Sequence, residues 1–228
     1  MDRRSYLRTV TLGSIGATAG CLQTALGNGD EKRTVLDPPE DRRFDSEDLP
    51  YPAHGQELPD FTLPDPLAGE TVDSRDIDKT HLVTGFFAFC PVECVRLIGQ
   101  LAGVQEGTIQ EGIDDEVTFY AITFDPQRDD AEALREYGEQ MVNLDAGNWR
   151  FLRPKSPERA KEVVNDKLSI TFERVGADQS SRLEGYDFRH LTITYLCNPS
   201  GLVERAYRTD QPDHERVLSD VQTVVDGW

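Results

Sequence analysis

In the stretch GFFAFCPVEC, residues 85–94, an apolar run ends at Cys90 and a second cysteine, Cys94, follows one helical turn later. Two sulfurs at that spacing can form a disulfide, act as a redox pair or hold a metal ion. Thiol–disulfide oxidoreductases commonly place two residues between their cysteines, so the longer Cys-Pro-Val-Glu-Cys spacing makes a tuned redox disulfide less favoured without forbidding it. Two thiolates one turn apart leave room for a soft ion, and they select Cu(I) or zinc; an imidazole as third donor would also suit Cu(II). His54, His81, His190 and His214 are the histidines available for that place. A histidine taken alone is more often a surface or capping residue than a ligand, so location has to be argued from the elements around it.

Those elements alternate between strand and helix patterns. DFTLPD reads as a short strand, and HLVTGFFAF has the length and the β-branched and aromatic content of a buried central strand. Pro91 suits the first position of a helix, carried on by Val95, Ile98, Leu101 and Ala102, which makes Cys90 its N-cap and turns both sulfurs toward one solvent-side space. The helix N-terminus favours thiolate there, while the Glu93 carboxylate works against it. VTFYAIT follows as a second buried strand, DDAEALREYGEQM as an amphipathic helix, NWRFLRP as a short extended piece and SPERAKEVVNDKL as another helix. LTITYLCNPSGLVERAY is a hairpin turning at Asn198–Gly201, and DHERVLSDVQTVV closes the chain as a helix. This order predicts an α/β, thioredoxin-like three-layer fold with a mixed central sheet flanked by helices. In such a fold the Cys90 loop lies at the carboxyl end of a central strand, where sites are commonly built, and the loop carrying His190 lies opposite the cysteine helix. Cys197 has the strand parity of Leu191, Ile193 and Tyr195, opposite to His190, which reads as a buried apolar thiol rather than a resolving cysteine.

The N-terminal residues read as an address. Arg3 and Arg4 precede a short, mildly apolar stretch, VTLGSIGATAG, that ends at Cys21. An arginine pair before such a stretch resembles a twin-arginine export signal, and the stretch is too short to span a bilayer as a permanent helix. Cys21, after Thr18-Ala19-Gly20, looks like the modified cysteine of a lipoprotein box, although Thr18 stands where a leucine is usual. The expected organisation is therefore 1–21 as export signal, 22–54 as a flexible polar tether and 55–228 as the folded domain, held at the outer face of the cytoplasmic membrane. With 24 Lys+Arg against 42 Asp+Glu the net charge is −18, which disfavours nucleic acid and anionic lipid surfaces. The acids are spread along the chain and arginine outnumbers lysine, the pattern of a surface solvated in concentrated salt.

GFFAFCPVEC, AITFDPQRDDAEALREY, NWRFLRP and HLTITYLCNPSGLV resemble, in order and spacing, the motifs of the Sco/SenC copper chaperones that help assemble the copper A centre of cytochrome c oxidase. The resemblance covers about residues 58–228. It implies that Cys90, Cys94 and His190 bind one copper ion, as Cu(I) or Cu(II), and that Asp125 lies close by and supports the site; from the residues alone, Asp125 also reads as a strand-ending carboxylate that caps the next turn. The implied partners are the copper A domain of oxidase subunit II, with a thioredoxin-like reductant or another copper carrier upstream. Val92-Glu93 and Arg189 and Leu191 depart from the residues usual in the family beside these ligands, a difference that bears on affinity and redox preference. An alternative is a membrane-anchored thiol–disulfide reductase that keeps the oxidase's copper-site cysteines reduced, using Cys90 and Cys94 with no need of His190; a copper or redox sensor is a third reading. A peroxiredoxin is disfavoured because Phe87 stands where a Thr or Ser is required, three residues before Cys90.

Overall fold

Strands β1 (Thr62–Asp65) and β2 (Glu70–Asp73) form a small antiparallel hairpin, closed where the Asp65 carboxylate accepts the backbone N–H groups of Leu67 and Ala68 at 2.9 and 3.1 Å. The structure, a computed structural model, describes residues 33–40, 42–175 and 188–228. The export signal and Cys21 lie outside the described residues.

After the hairpin come β3 (Thr80–Phe86), α1 (Glu93–Glu111), β4 (Val117–Thr123), α2 (Ala131–Met141) and β5 (Trp149–Leu152). α3 (Pro157–Ala160) then runs on as a π-helical segment, Lys161–Lys167, and is followed by β6 (Phe172–Arg174), β7 (Phe188–His190), β8 (Thr194–Cys197), β9 (Val203–Tyr207) and α4 (His214–Gly227). The central sheet has the order β5-β4-β3-β8-β9: β3, β4 and β5 run parallel, and β8 and β9 are antiparallel additions. This is the mixed sheet that the element order implies. All seven residues of β3 are buried, as a strand covered on both faces requires.

Side chains alternate across a strand. Phe86 touches Tyr137 of α2, with ring centroids 5.4 Å apart, whereas at Gly85 a Cβ would stand 3.0 Å from Val164 and 3.2 Å from Ile170. Helices α1, α2 and α4 thus cover one face, and the α3 region covers the other. Gly107 lets α1 and α4 approach closely, since a Cβ there would stand 2.3 Å from Leu218. The helix starts follow local rules: the Asp130 carboxylate caps α2 through Glu132 and Ala133, and Ser156 caps α3 ahead of Pro157. No helix among the described residues is long and apolar enough to cross a membrane.

Three sequence expectations differ from the structure. Helix α1 begins at Glu93 with Val92 at its N-cap, so Pro91 is not its first residue and Cys90 belongs to the preceding turn, its N–H bonded to Phe87 O at 3.2 Å. Val92, at φ −135° and ψ −76°, breaks the helical path between the two. Leu191–Ile193 do not continue β8; instead β6 and β7 form a separate two-stranded hairpin that pairs Phe172 with His190.

The folded unit also starts before residue 55. The Glu204 carboxylate, fully buried on β9, accepts Val35 N–H and Leu36 N–H, each at 2.9 Å, and Asn198 Nδ2 at 2.6 Å. A buried carboxylate needs donors. The backbone of residues 35–36 supplies them, Asn198 Nδ2 also reaches Arg33 O at 2.9 Å, and Leu36 is buried. Residues that read as tether are therefore, from Arg33 onward, a strap packed on the sheet.

Candidate metal centre

The Sγ atoms of Cys90 and Cys94 and a ring nitrogen of His190 lie within 4.8 Å of one another. The two cysteines are delivered by the turn after β3 and the first turn of α1, and His190 by the end of β7. Both cysteines are 1–2% exposed, so the pair is sunk beneath the surface rather than facing solvent. They are free thiols here, as is Cys197.

Their environments differ. Cys94 N–H donates to Cys90 Sγ at 3.3 Å, and Glu93 Oε2 lies 3.7 Å from the same sulfur. The Cys94 side chain, donating to Cys90, pulls the Cys90 thiol down to about 5; burial opposes this, and the His190 imidazole assists it. Burial, and then the neighbouring Cys90 sulfur, push Cys94 well above the ordinary thiol range. Burial alone would lower the His190 pKa, but the Cys90 sulfur outweighs it and the net shift is upward. A thiolate at Cys90 beside a neutral thiol at Cys94 is the charge state these directions describe.

The imidazole is oriented for ligation. Its Nδ1 lies 3.4 Å from Leu191 O, and its Nε2 is buried without a hydrogen-bond partner among the described residues. With Nδ1–H donating to the carbonyl, Nε2 keeps its lone pair, the tautomer a metal ligand needs. The ring rests edge-on to Phe87 at 6.0 Å and against Phe124 at 5.3 Å. Two sulfurs and one imidazole nitrogen form a set suited to a soft ion.

The protein holds these groups through neighbours on β4 and the loop after it. Asp129 Oδ2 accepts Ala88 N–H at 3.0 Å and the Thr123 hydroxyl, which fixes the backbone entering the Cys90 turn. Tyr137 donates to Cys94 O at 3.3 Å. Asp125, 1% exposed, accepts from Arg128 Nε through Oδ2 and from Arg174 Nη2 through Oδ1 at 2.7 Å. It is thus placed on two arginines, and it is not one of the three grouped donors. The guanidinium of Arg128 stacks 5.4 Å from the Phe89 ring, and that of Arg174 4.6 Å from Phe188.

Three apolar side chains flank the ligands at the surface. Phe89, Val95 and Leu191, each next in sequence to one ligand, are 49%, 41% and 56% exposed. A cleft of about 580 Å³, lined by Tyr51, Glu93, Leu191, Arg208 and Asp210 among others, opens beside His190.

Of the other histidines, His81 is buried on β3 at the sheet end away from the cysteines and bonded to Lys79 O at 2.8 Å, and burial lowers it to about 4. His54 bonds Leu36 O at 2.7 Å, and His214 begins α4. None of the three joins the cysteines. Cys197 is fully buried on β8, all four residues of which are buried whatever their parity, and burial pushes its thiol far up. The two arginines on Asp125 were not legible as parts of the site; the only signal was their presence near aromatic residues in FERV and FDPQRDD.

A thioredoxin-like domain carrying a buried Cys-x-x-x-Cys pair and one converging histidine defines a thiolate–imidazole metal-site protein. The SCO1/SenC family model matches residues 51–226, and the chain belongs to that family. It is 28% identical over 144 residues to a SCO2-like protein of Rickettsia prowazekii, a match spanning 62% of this chain and 65% of that protein, just under two thirds of its length. Among solved structures it resembles BsSco, described as a member of the Sco family of cytochrome c oxidase assembly proteins with a disulfide switch, at 19% identity, a TM-score of 0.60 and coverage of 79% of this chain and 98% of that one. It also resembles copper-bound ScoI of Bradyrhizobium japonicum at 18% identity and a TM-score of 0.59, covering 72% and 97% of the two chains.

Proposed function

We propose that this chain binds one copper ion through Cys90, Cys94 and His190 and delivers it to the copper A centre of a cytochrome c oxidase during assembly. The observation that carries this reading is the convergence of the three donor atoms within 4.8 Å in a chain of the SCO1/SenC family. Copper bound in the ScoI relative supports it.

Delivery is ligand exchange. Cys90 is the sulfur already held as thiolate, and Cys94 gives up its proton when the ion enters. Three protein donors leave a coordination position open, through which a partner's cysteines and histidines displace these ligands one at a time. A partner reaching the ion covers Phe89, Val95 and Leu191, and an apolar rim excludes water during the exchange. The arginine pair, the lipobox-like Cys21 and the segment between them support twin-arginine export and anchorage at the outer membrane face. Copper arrives from another carrier, and a thioredoxin-like protein keeps the cysteines reduced.

One observation favours a second reading, reduction of the oxidase's copper-site disulfide. Cys90 is lowered and Cys94 raised, the asymmetry of an attacking and a resolving thiol. The Cys90 thiolate would attack the partner disulfide and release one partner thiolate. Cys94, after losing its proton, would attack Cys90 and release the other, leaving a Cys90–Cys94 disulfide and two electrons on the partner.

Anaerobic titration of the reduced protein with Cu(I) against a competing chelator separates the two. One tight Cu(I) equivalent, strongly weakened in Cys94→Ser, together with a Cu(II) affinity strongly weakened in His190→Ala, is the expected result. Poor binding by wild type, with His190→Ala still reducing disulfides, would leave the reductase.

A further inference from the structure

The third ligand is carried by the weakest piece of sheet in the fold. Among the described residues β6 and β7 have three residues each and pair only with each other, and an isolated two-stranded hairpin is marginal in water. Its contacts with the rest of the domain therefore decide where His190 sits. Phe172, the ladder partner of His190, stacks on Phe124 at 4.7 Å with rings 15° apart. Phe188 packs on Phe87 at 5.1 Å and on Phe124 at 5.3 Å. Leu191 N–H bonds to Thr171 O at 2.8 Å.

Apolar contacts hold the hairpin down but allow it to slide. Hydrogen bonds from Ile170 N–H to Val164 O and from the Thr84 hydroxyl to Ile193 O, both at 2.9 Å, hold the flanking chain at the His190 end, and a charged tie holds the far end, where Arg174 reaches the buried Asp125 at 2.7 Å while stacking on Phe188. Asp125 is shared: its other oxygen takes Arg128, whose guanidinium lies 5.9 Å from Phe87 and 5.4 Å from Phe89, on the segment that leads into Cys90. One carboxylate thus joins the strand pair bearing the histidine to the turn bearing the cysteines.

We infer that Arg174, acting through Asp125, is a positioning residue for His190: the pair sets the distance between the imidazole and the two sulfurs. The inference rests on the copper-binding reading and deepens it. Two thiolates alone satisfy Cu(I), whereas Cu(II) depends on the imidazole. Loss of the tie therefore falls mainly on Cu(II).

The test compares wild type, Arg174→Ala, Arg174→Lys, His190→Ala and the Arg174→Ala/His190→Ala double variant. Cu(I) and Cu(II) affinities are measured by chelator competition, the one-electron potential by redox titration, and Leu191 N–H exchange in the metal-free protein. Residues that orient a ligand are worth about 10–100-fold in metal affinity, so Arg174→Ala is expected to lose about tenfold or more for Cu(II) and far less for Cu(I). The potential rises by about 59 mV for each tenfold difference. Arg174→Lys, which keeps the charge, restores part of the loss, and in the His190→Ala background Arg174→Ala adds nothing further. Faster Leu191 exchange, by more than the change in global stability accounts for, is expected without metal.

Equal losses for Cu(I) and Cu(II), or the same Arg174→Ala loss with His190 already removed, would overturn the proposal. Wild type that binds no copper, while Arg174→Ala still frees the Leu191 amide, would sink the copper reading and leave the tie standing as a hairpin latch. An unchanged Leu191 amide would sink the latch itself.

Discussion

Asp129 gives a quantitative test of the scaffold beneath the cysteines, in the metal-free protein. Its carboxylate is fully buried and accepts Ala88 N–H and the Thr123 hydroxyl through Oδ2, while Oδ1 has no hydrogen-bond partner among the described residues. Burial pushes its pKa from 3.8 to about 6, against the opposing effect of Thr123 and Ala88. Because the folded value lies above the unfolded one, the folded chain holds the extra proton between those values, and stability falls as pH rises through that window. At 1.36 kcal/mol per unit, a gap of roughly two units is worth about 3 kcal/mol. Asp129→Asn keeps an oxygen for Ala88 and Thr123 and removes the ionisation. Denaturant unfolding of both proteins at pH 4 and pH 7, at one fixed salt concentration, isolates this group, because the other carboxylates cancel in the difference. The variant is expected to gain about 3 kcal/mol on wild type between the two pH values. A difference that stays constant with pH, or that grows in favour of wild type, would refute the account of Asp129 as a carboxylate held against its charge.

Three further outcomes are expected. Gly85→Ala places a Cβ 3.0 Å from Val164 and 3.2 Å from Ile170, both fully buried and β-branched, and overpacking of this kind costs about 1–3 kcal/mol, read as a lower denaturation midpoint. Ultraviolet thiolate absorbance of the reduced, metal-free protein is expected to titrate with a midpoint near pH 5, a transition abolished by Cys90→Ser and retained in Cys197→Ser. A chain trimmed to begin at residue 55 loses the Val35 and Leu36 N–H groups that Glu204 accepts, leaving it Asn198, and a buried group left short of partners costs about 1–3 kcal/mol, so it unfolds at lower denaturant than the chain that keeps residues 33–54.

The cysteine half of the site was legible because local signals agreed. A run of apolar residues with no polar alternation specifies a strand buried on both faces, and the sulfurs follow directly at its end. The Pro91 helix-start rule failed by two residues, because Cys90 is committed to a turn with Phe87 before the helix can begin. The histidine half was readable only through resemblance to a family. FER and FRH are three-residue strands without apolar alternation, separated by 13 residues, and their pairing depends on Phe124 and Asp125, contributed from β4's end. The strap was hidden for a similar reason: Val35 and Leu36 are two apolar residues in a polar stretch, and what orders them is a buried acid far along the chain, Glu204.

That strap also marks one pole of the domain. Glu204 is the second residue of β9, next to Val203, which pairs with Cys197 at the end of β8, and Cys197 pairs with His81 near the start of β3. Cys90 follows the other end of β3, so residues 35–36 and the cysteines occupy opposite poles of the sheet. A chain held through the residues that precede Arg33 would carry its candidate copper ligands at the far pole, leading rather than trailing, with the site at the outer end of the arm.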